Sequence, residues 1–203
     1  MNRLLFCVFA VALAANVQAQ EDGKAALRQS LEALRRAPAY RVAVTDAGSA
    51  ASELRLEVVN PDLLHLRTGM GTEIYSDGKT IVSREGASGP FVEARGNVAA
   101  TVALARQLAT PDALLSMSTD VRFTGHDSVN GLPASVYAVD ALVMGMRVNA
   151  RVWVADADRR PLRTEAEVNG ELKMGGRAAG RRVHRSSVVT YEYDPSIKIA
   201  MPR

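Results

Sequence analysis

The sequence predicts an α+β protein that is mostly β, built on one large antiparallel sheet interrupted by helices in two places. Three observations carry this prediction. Short runs of alternating apolar and polar residues recur along most of the chain, with the period of two that a half-buried strand requires. Turn-forming pairs such as Asp77-Gly78 and Asn130-Gly131 separate these runs. The period becomes helical only near the start and again after Asn97.

The alternation is clearest between Met146 and Val168. Met146, Val148, Ala150, Val152 and Val154 fall on one face of an extended chain, and Arg147, Asn149, Arg151 and Trp153 on the other. The turn through Asp156 and Pro161 leads into a second run, with Leu162, Thr164, Ala166 and Val168 opposite Arg163, Glu165 and Glu167. The pattern is that of a long antiparallel hairpin with one apolar face.

Residues 1–19 read as a secretory signal peptide. Arg3 gives the positive start, Leu4 to Ala15 the short apolar run, and Val17-Gln18-Ala19 the small-residue cleavage site. The apolar run falls below the roughly 20 residues needed to span a bilayer as a helix. Cleavage after Ala19 leaves residues 20–203 as a single domain and removes Cys7, the only cysteine. Cys7 lies inside the apolar run, before the small-residue site, so it does not fit a lipoprotein acceptor. The expectation is a soluble periplasmic monomer stabilised by its core without disulfides. At 47% hydrophobic and 23% charged residues, the composition excludes a disordered chain. A net charge of +3 gives no argument for nucleic acid.

In chain order, Asp22 can cap a helix carrying Leu27, Leu31 and Leu34 on one stripe, which Pro38 ends. Alternating runs follow through Val42 and Val44, then Leu54, Leu56 and Val58, then Leu64 and Leu66, with Asn60-Pro61-Asp62 as a turn. Thr72–Ser76 runs into Asp77-Gly78, a pair suited to a two-residue type I′ turn. Asn97 to Leu108 and Pro111 to Met117 read as helices rich in Ala and poor in charge, the second capped by Thr110. Strands resume at Val121 and Phe123, turn at Asn130-Gly131, and end in the run from Ser186 to Tyr193, for about ten strands in all. Arg177, Arg181, Arg182, His184 and Arg185 crowd a Gly-containing stretch that reads first as a solvated loop, and second as a contact for anionic headgroups or an acidic partner.

No catalytic signature is present. His65, His126 and His184 lack metal-ligand spacing, and no phosphate-binding glycine loop or nucleophile elbow occurs. His65 reads as a surface group on the polar face of its strand. Glu165 and Glu167 read as solvent-facing, and Ser128 lies too close in sequence to His126 to suggest a dyad. The expectation is a protein with no enzymatic activity, metal or cofactor.

Several short motifs together carry a resemblance: the signal peptide and amphipathic helix, AsnProAspLeuLeuHisLeuArg, TyrSerAspGlyLysThr, GlyHisAspSerValAsnGlyLeuProAlaSerValTyr, and ValTrpValAla followed by ArgArgProLeuArg. In this order they resemble the periplasmic lipoprotein carriers (LolA-like) and the glycolipid-binding lipoproteins related to them. The resemblance implies a curved antiparallel half-barrel with helices covering its concave face and a slot for acyl chains of a lipid or lipoprotein. The slot residues it points to are Val42, Val44, Leu54, Leu56, Val58, Leu64, Leu66, Val102, Leu108, Leu114, Met146, Val148, Val152 and Val154. Under the second reading of the basic stretch, which its charge suggests independently of the resemblance, Arg177, Arg181, Arg182 and Arg185 would be the headgroup or transient membrane contacts. Burial of the same residues would equally serve a closed core, and an envelope protein partner bound without lipid is the rival expectation.

Overall fold

The computed structural model of the chain describes residues 23–46, 49–86, 88–94, 100, 102–103, 112–143, 145–174 and 177–202. The first element is α1 (Gly23–Arg36), followed by β1 (Ala39–Asp46), β2 (Ser49–Val59), β3 (Leu63–Thr68), β4 (Thr72–Ser76), β5 (Ile81–Glu85) and β6 (Val92–Glu93). A short helix α2 (Asp112–Ser116) precedes β7 (Ser118–Val129), β8 (Leu132–Val143), β9 (Met146–Ala155), β10 (Pro161–Met174) and β11 (Arg177–Glu192).

All the strands join one open, curved antiparallel sheet in the order β6-β5-β4-β3-β2-β1-β11-β10-β9-β8-β7. Each half is a meander of sequence neighbours, and the halves meet where β1 pairs with β11, Val44 opposite Val189. Alternation sets the two faces. One register row carries Val42, Leu56, Leu66 and Ile74, and its neighbour carries Arg41, Glu57, His65 and Tyr75. The first row is buried and the second is the charged face.

Helix α1 lies across the apolar, concave face. Its buried stripe is Ala26, Leu27, Ser30, Leu31 and Leu34, spaced as a helix face requires. Leu34 packs with Val42, Leu56 and Leu66 of one half-sheet, while Ala26 and Leu27 pack with Tyr137, Val152 and Val154 of the other. The helix therefore bridges the two meanders. Its ends are held by polar and close contacts. Asn60 Nδ2, from the β2–β3 turn, donates to the carbonyls of Ala37 at 2.7 Å and Arg35 at 3.2 Å. At the other end Lys24 Nζ donates to the Ser118 carbonyl at 3.3 Å, and Gly23 lies so near β7 that a Cβ there would sit 2.7 Å from the Val121 carbonyl oxygen.

The structure corrects several expectations. Asp77-Gly78 is not a two-residue turn: β4 and β5 are joined through residues 77–80, with Asp77 Oδ1 accepting from the amides of Lys79 at 2.9 Å and Thr80 at 2.6 Å. This side-chain cap makes the longer connection self-sufficient. Asn130-Gly131 is the two-residue turn, both residues having positive φ (52° and 80°). The basic stretch is not a loop, because β10 and β11 run on to Met174 and Arg177 and pair there. Continued ladder pairing outweighs the low strand preference of its glycines. The sheet has eleven strands where about ten were expected. Leu162 leaves the apolar face: the register shifts between Pro161 and Arg163, and Leu162 packs with Trp153 and Val136. Asp22, Pro111, Leu108 and most of the expected helix Asn97 to Leu108 lie outside the described residues.

Candidate functional site

The expected slot residues fall into two patches of one face. Val42, Leu56, Val58, Leu64, Leu66 and Val102 are buried in the first, with Val44 and Leu54 packed against it. Val152 and Val154 are fully buried in the second, with Leu114 of α2 packed against it. Val148 is buried and Met146 half-buried near the start of β9. Together the two patches span the sheet from β4 to β8, and in this conformation they are covered. The cover includes α1, which the sequence marks only as an amphipathic surface helix. Its leucine spacing reveals a buried stripe, but nothing local says against what.

One feature of that cover is polar. Ser30 is fully buried on the underside of α1, between Leu27 and Leu34, and its Oγ has no hydrogen-bond partner among the described residues. A buried hydroxyl left unpaired costs about 1–3 kcal/mol. The helix is thus held less tightly than an all-apolar stripe would hold it.

The charged face carries the densest polar cluster. Glu73, on β4, has a side chain 8% exposed and accepts from His65 Nε2 at 2.7 Å, Arg84 Nε at 2.7 Å, Arg67 Nη2 at 3.0 Å and Tyr75 Oη at 3.1 Å. Burial pushes its carboxyl up, but the hydrogen bonds from Arg84, His65, Arg67 and Tyr75 together outweigh it and hold the group down at about 2. His65 Nδ1 also lies 3.2 Å from Glu57 Oε2, and its ring stacks on Tyr75 with centroids 4.2 Å apart. His65 is therefore buried between two carboxylates instead of standing free at the surface. Glu165 is half-buried beside Arg163 and Arg151, whereas Glu167 is exposed as expected. His126 is exposed, 3.7 Å from Asp156.

A groove of about 960 Å³ borders this charged face, lined by Arg41, Arg55, His65, Leu132 and Arg160 among others. Its arginines are already matched with carboxylates: Arg41 with Glu57 at 2.8 Å, Arg55 with Glu53 at 2.8 Å, Arg67 with Glu73, and Arg160 with Asp158. The groove offers no uncompensated cation among these.

Of the expected headgroup residues, Arg177, Arg181 and Arg182 lie on β11 with side chains outside the described residues, and Arg185 is exposed on the same strand. Among the described residues no group of three or more His, Cys, Asp or Glu side chains is placed to hold a metal ion, and no helix is long and apolar enough to cross a membrane.

No family model matches the sequence, and no curated protein matches it. Solved structures do match. The lipoprotein LppX of Mycobacterium tuberculosis superposes with a TM-score of 0.57 at 17% identity, over 84% of this chain and 93% of its own. LprF of Mycobacterium bovis superposes with a TM-score of 0.54 at 14% identity, over 89% of this chain and 96% of its own. This chain shares their fold. A LolA superfamily protein of Nitrosomonas europaea aligns over 84% of this chain and 91% of its own, at 12% identity, but its TM-score of 0.31 is too low to bear on the fold. The resemblance carried by the short motifs thus holds at the level of architecture, with LppX and LprF as the structural relatives.

Proposed function

We propose that this protein is a periplasmic carrier that shelters an acyl chain of a lipid or lipoprotein on the concave face of its sheet. The slot it uses is floored by Val42, Val44, Leu54, Leu56, Val58, Leu64, Leu66, Met146, Val148, Val152 and Val154, with Val102 and Leu114 contributed from the covering segments. The observation that carries this reading is the way α1 covers two apolar patches, one on each half-sheet. In the unloaded molecule the helix stands in for the ligand, and loading exchanges one for the other.

Magnitudes favour such an exchange. Full burial of Leu27, Leu31 and Leu34 is worth about 1.5–3 kcal/mol each. A 16-carbon chain removed from water is worth roughly 12 kcal/mol at about 0.8 kcal/mol per methylene. The two are of the same order, and the unpaired Ser30 hydroxyl lowers the helix's share. An acyl chain can therefore compete with α1 for the floor and still be released when α1 returns.

Mass spectrometry of lipids copurifying with protein recovered from a bacterial periplasm, together with uptake of a fluorescent fatty acid, tests the proposal. Bound lipid and saturable uptake are expected. Protein that is free of lipid and takes up no probe would overturn the carrier reading and leave the envelope protein-binding module in its place.

A further inference from the structure

A cation stands on the apolar face beside the last valines of β9 and β10. Along β10 and β11 the register is unbroken from Thr164 opposite Val189 to Val168 opposite Arg185, and along β9 and β10 it is unbroken from Val152 opposite Thr164 to Val148 opposite Val168. Because side chains alternate strictly in an uninterrupted ladder, every second row shares a face. Val152, Thr164 and Val189 form one row of the concave face, Ala150, Ala166 and Ser187 the next, and Val148, Val168 and Arg185 the third. Strand β1 pairs with β11 only as far as Asp46 opposite Ser187, so Arg185 lies two residues beyond the last pair with β1. Arg147 and His184 occupy the neighbouring row with Asn169 and belong to the opposite face.

The Arg185 side chain is exposed and makes no hydrogen bond or ion pair with the described side chains. Its isolation contrasts with Arg41, Arg55, Arg67 and Arg160 on the charged face, each of which is matched to a carboxylate. An unmatched guanidinium beside an apolar floor complements a molecule with an acyl chain and a negative group at its end, since a guanidinium binds planar oxyanions through charge-assisted hydrogen bonds.

We propose that the ligand is an acyl lipid carrying an anionic group, carboxylate or phosphate, and that Arg185 selects it where the slot is floored by Val148 and Val168. This rests on the carrier reading above and adds the class of ligand. Arg182, three register rows further along β11, is not part of the proposal.

The test compares a fluorescent long-chain carboxylic acid with its methyl ester, binding to protein recovered from a bacterial periplasm at low salt. The wild type is expected to bind the acid roughly tenfold more tightly, the scale of one charge-assisted contact. Arg185→Ser should abolish that preference and leave ester binding unchanged, whereas Arg147→Ser should keep it. Added salt should narrow it, because an exposed charge is screened. Equal binding of acid and ester by the wild type, or a preference that survives in Arg185→Ser, overturns the proposal while leaving the carrier reading intact. Full competition by inorganic phosphate would mark a free-anion site and overturn the lipid assignment. If neither probe binds the wild type, the carrier reading fails and this proposal fails with it.

Discussion

His65 Nε2 lies 2.7 Å from Glu73 Oε1, and Arg84, Arg67 and Tyr75 donate to the same carboxylate. The cluster ties β3, β4 and β5 together on the face opposite the apolar, concave one. Replacing Glu73 leaves Arg84 and His65 facing each other without the charge that holds them. Glu73→Gln is expected to destabilise the protein by about 3 kcal/mol, within the range for breaking a buried pair from one side. Urea denaturation at neutral pH measures it, and a loss below about 1 kcal/mol would show the cluster to be solvated.

The same carboxylate predicts an acid response. Its pKa in the folded protein, about 2, lies below the value of an unfolded glutamate, so its contribution to stability is complete above the unfolded value of about 4.5. That contribution declines as the pH falls through the interval between the two values and is gone below about 2. Glu57, also lowered, acts in the same direction. Stability plotted against pH should therefore drop steeply between about 4.5 and 2, and Glu73→Gln should flatten the curve there. An unchanged slope in the variant would assign the acid sensitivity to other groups.

Ser30→Ala removes the unpaired hydroxyl beneath α1. The variant is expected to be more stable by about 1 kcal/mol, combining relief of the orphaned group with the better helix preference of alanine. If α1 competes with ligand for the floor, the same change should weaken fatty-acid uptake. A higher Tm with unchanged uptake would separate the helix from loading.

Gly23→Ala has the opposite sign. As the first residue of α1, Gly23 stands where alanine has no interior-helix advantage. The new Cβ would sit 2.7 Å from the Val121 carbonyl oxygen and 2.9 Å from its Cγ1, a backbone contact that cannot rotate away. Steric displacement wins, and a net loss of about 1–2 kcal/mol is expected, typical of overpacking. Thermal denaturation decides the sign.

Asn60→Ala strips the acceptors at the end of α1 of their side-chain donor. The carbonyls of Ala37 and Arg35 lose bonds of 2.7 and 3.2 Å, and a cost of about 1 kcal/mol is expected. Hydrogen exchange should show faster opening near the C-terminal end of α1, with β9 and β10 unaffected. Uniformly faster exchange would mean that Asn60 supports the whole domain.

The sequence by itself determined the strands and their two faces. Alternation at Val42, Leu56, Leu66, Val152 and Val154 is a local property of an extended chain, so it placed each on the buried face without reference to any partner. Asn130-Gly131 announced its turn for the same reason, since positive φ at both positions favours those residues. The Asp77 connection escaped because the side-chain cap that supports it looks the same in sequence as a tighter turn. His65 escaped too: eight residues separate it from Glu57 and eight from Glu73, and only the register of three strands brings them together. The basic stretch was misread because its glycines weaken a strand locally, whereas its pairing with β10 is decided by the ladder.

Only the tertiary structure decided what covers the floor. Leu27, Leu31 and Leu34 declare that α1 buries one stripe, but hydrophobic burial is non-directional, and the stripe would be satisfied by any apolar surface. Its placement across both half-sheets depends on contacts far apart in sequence, from Asn60 at one end to Ser118 and Val121 at the other. In the same way, the sequence supplied Arg185 as one of a crowd of cations, and the unbroken pairing through Val168 set it on the face of the slot.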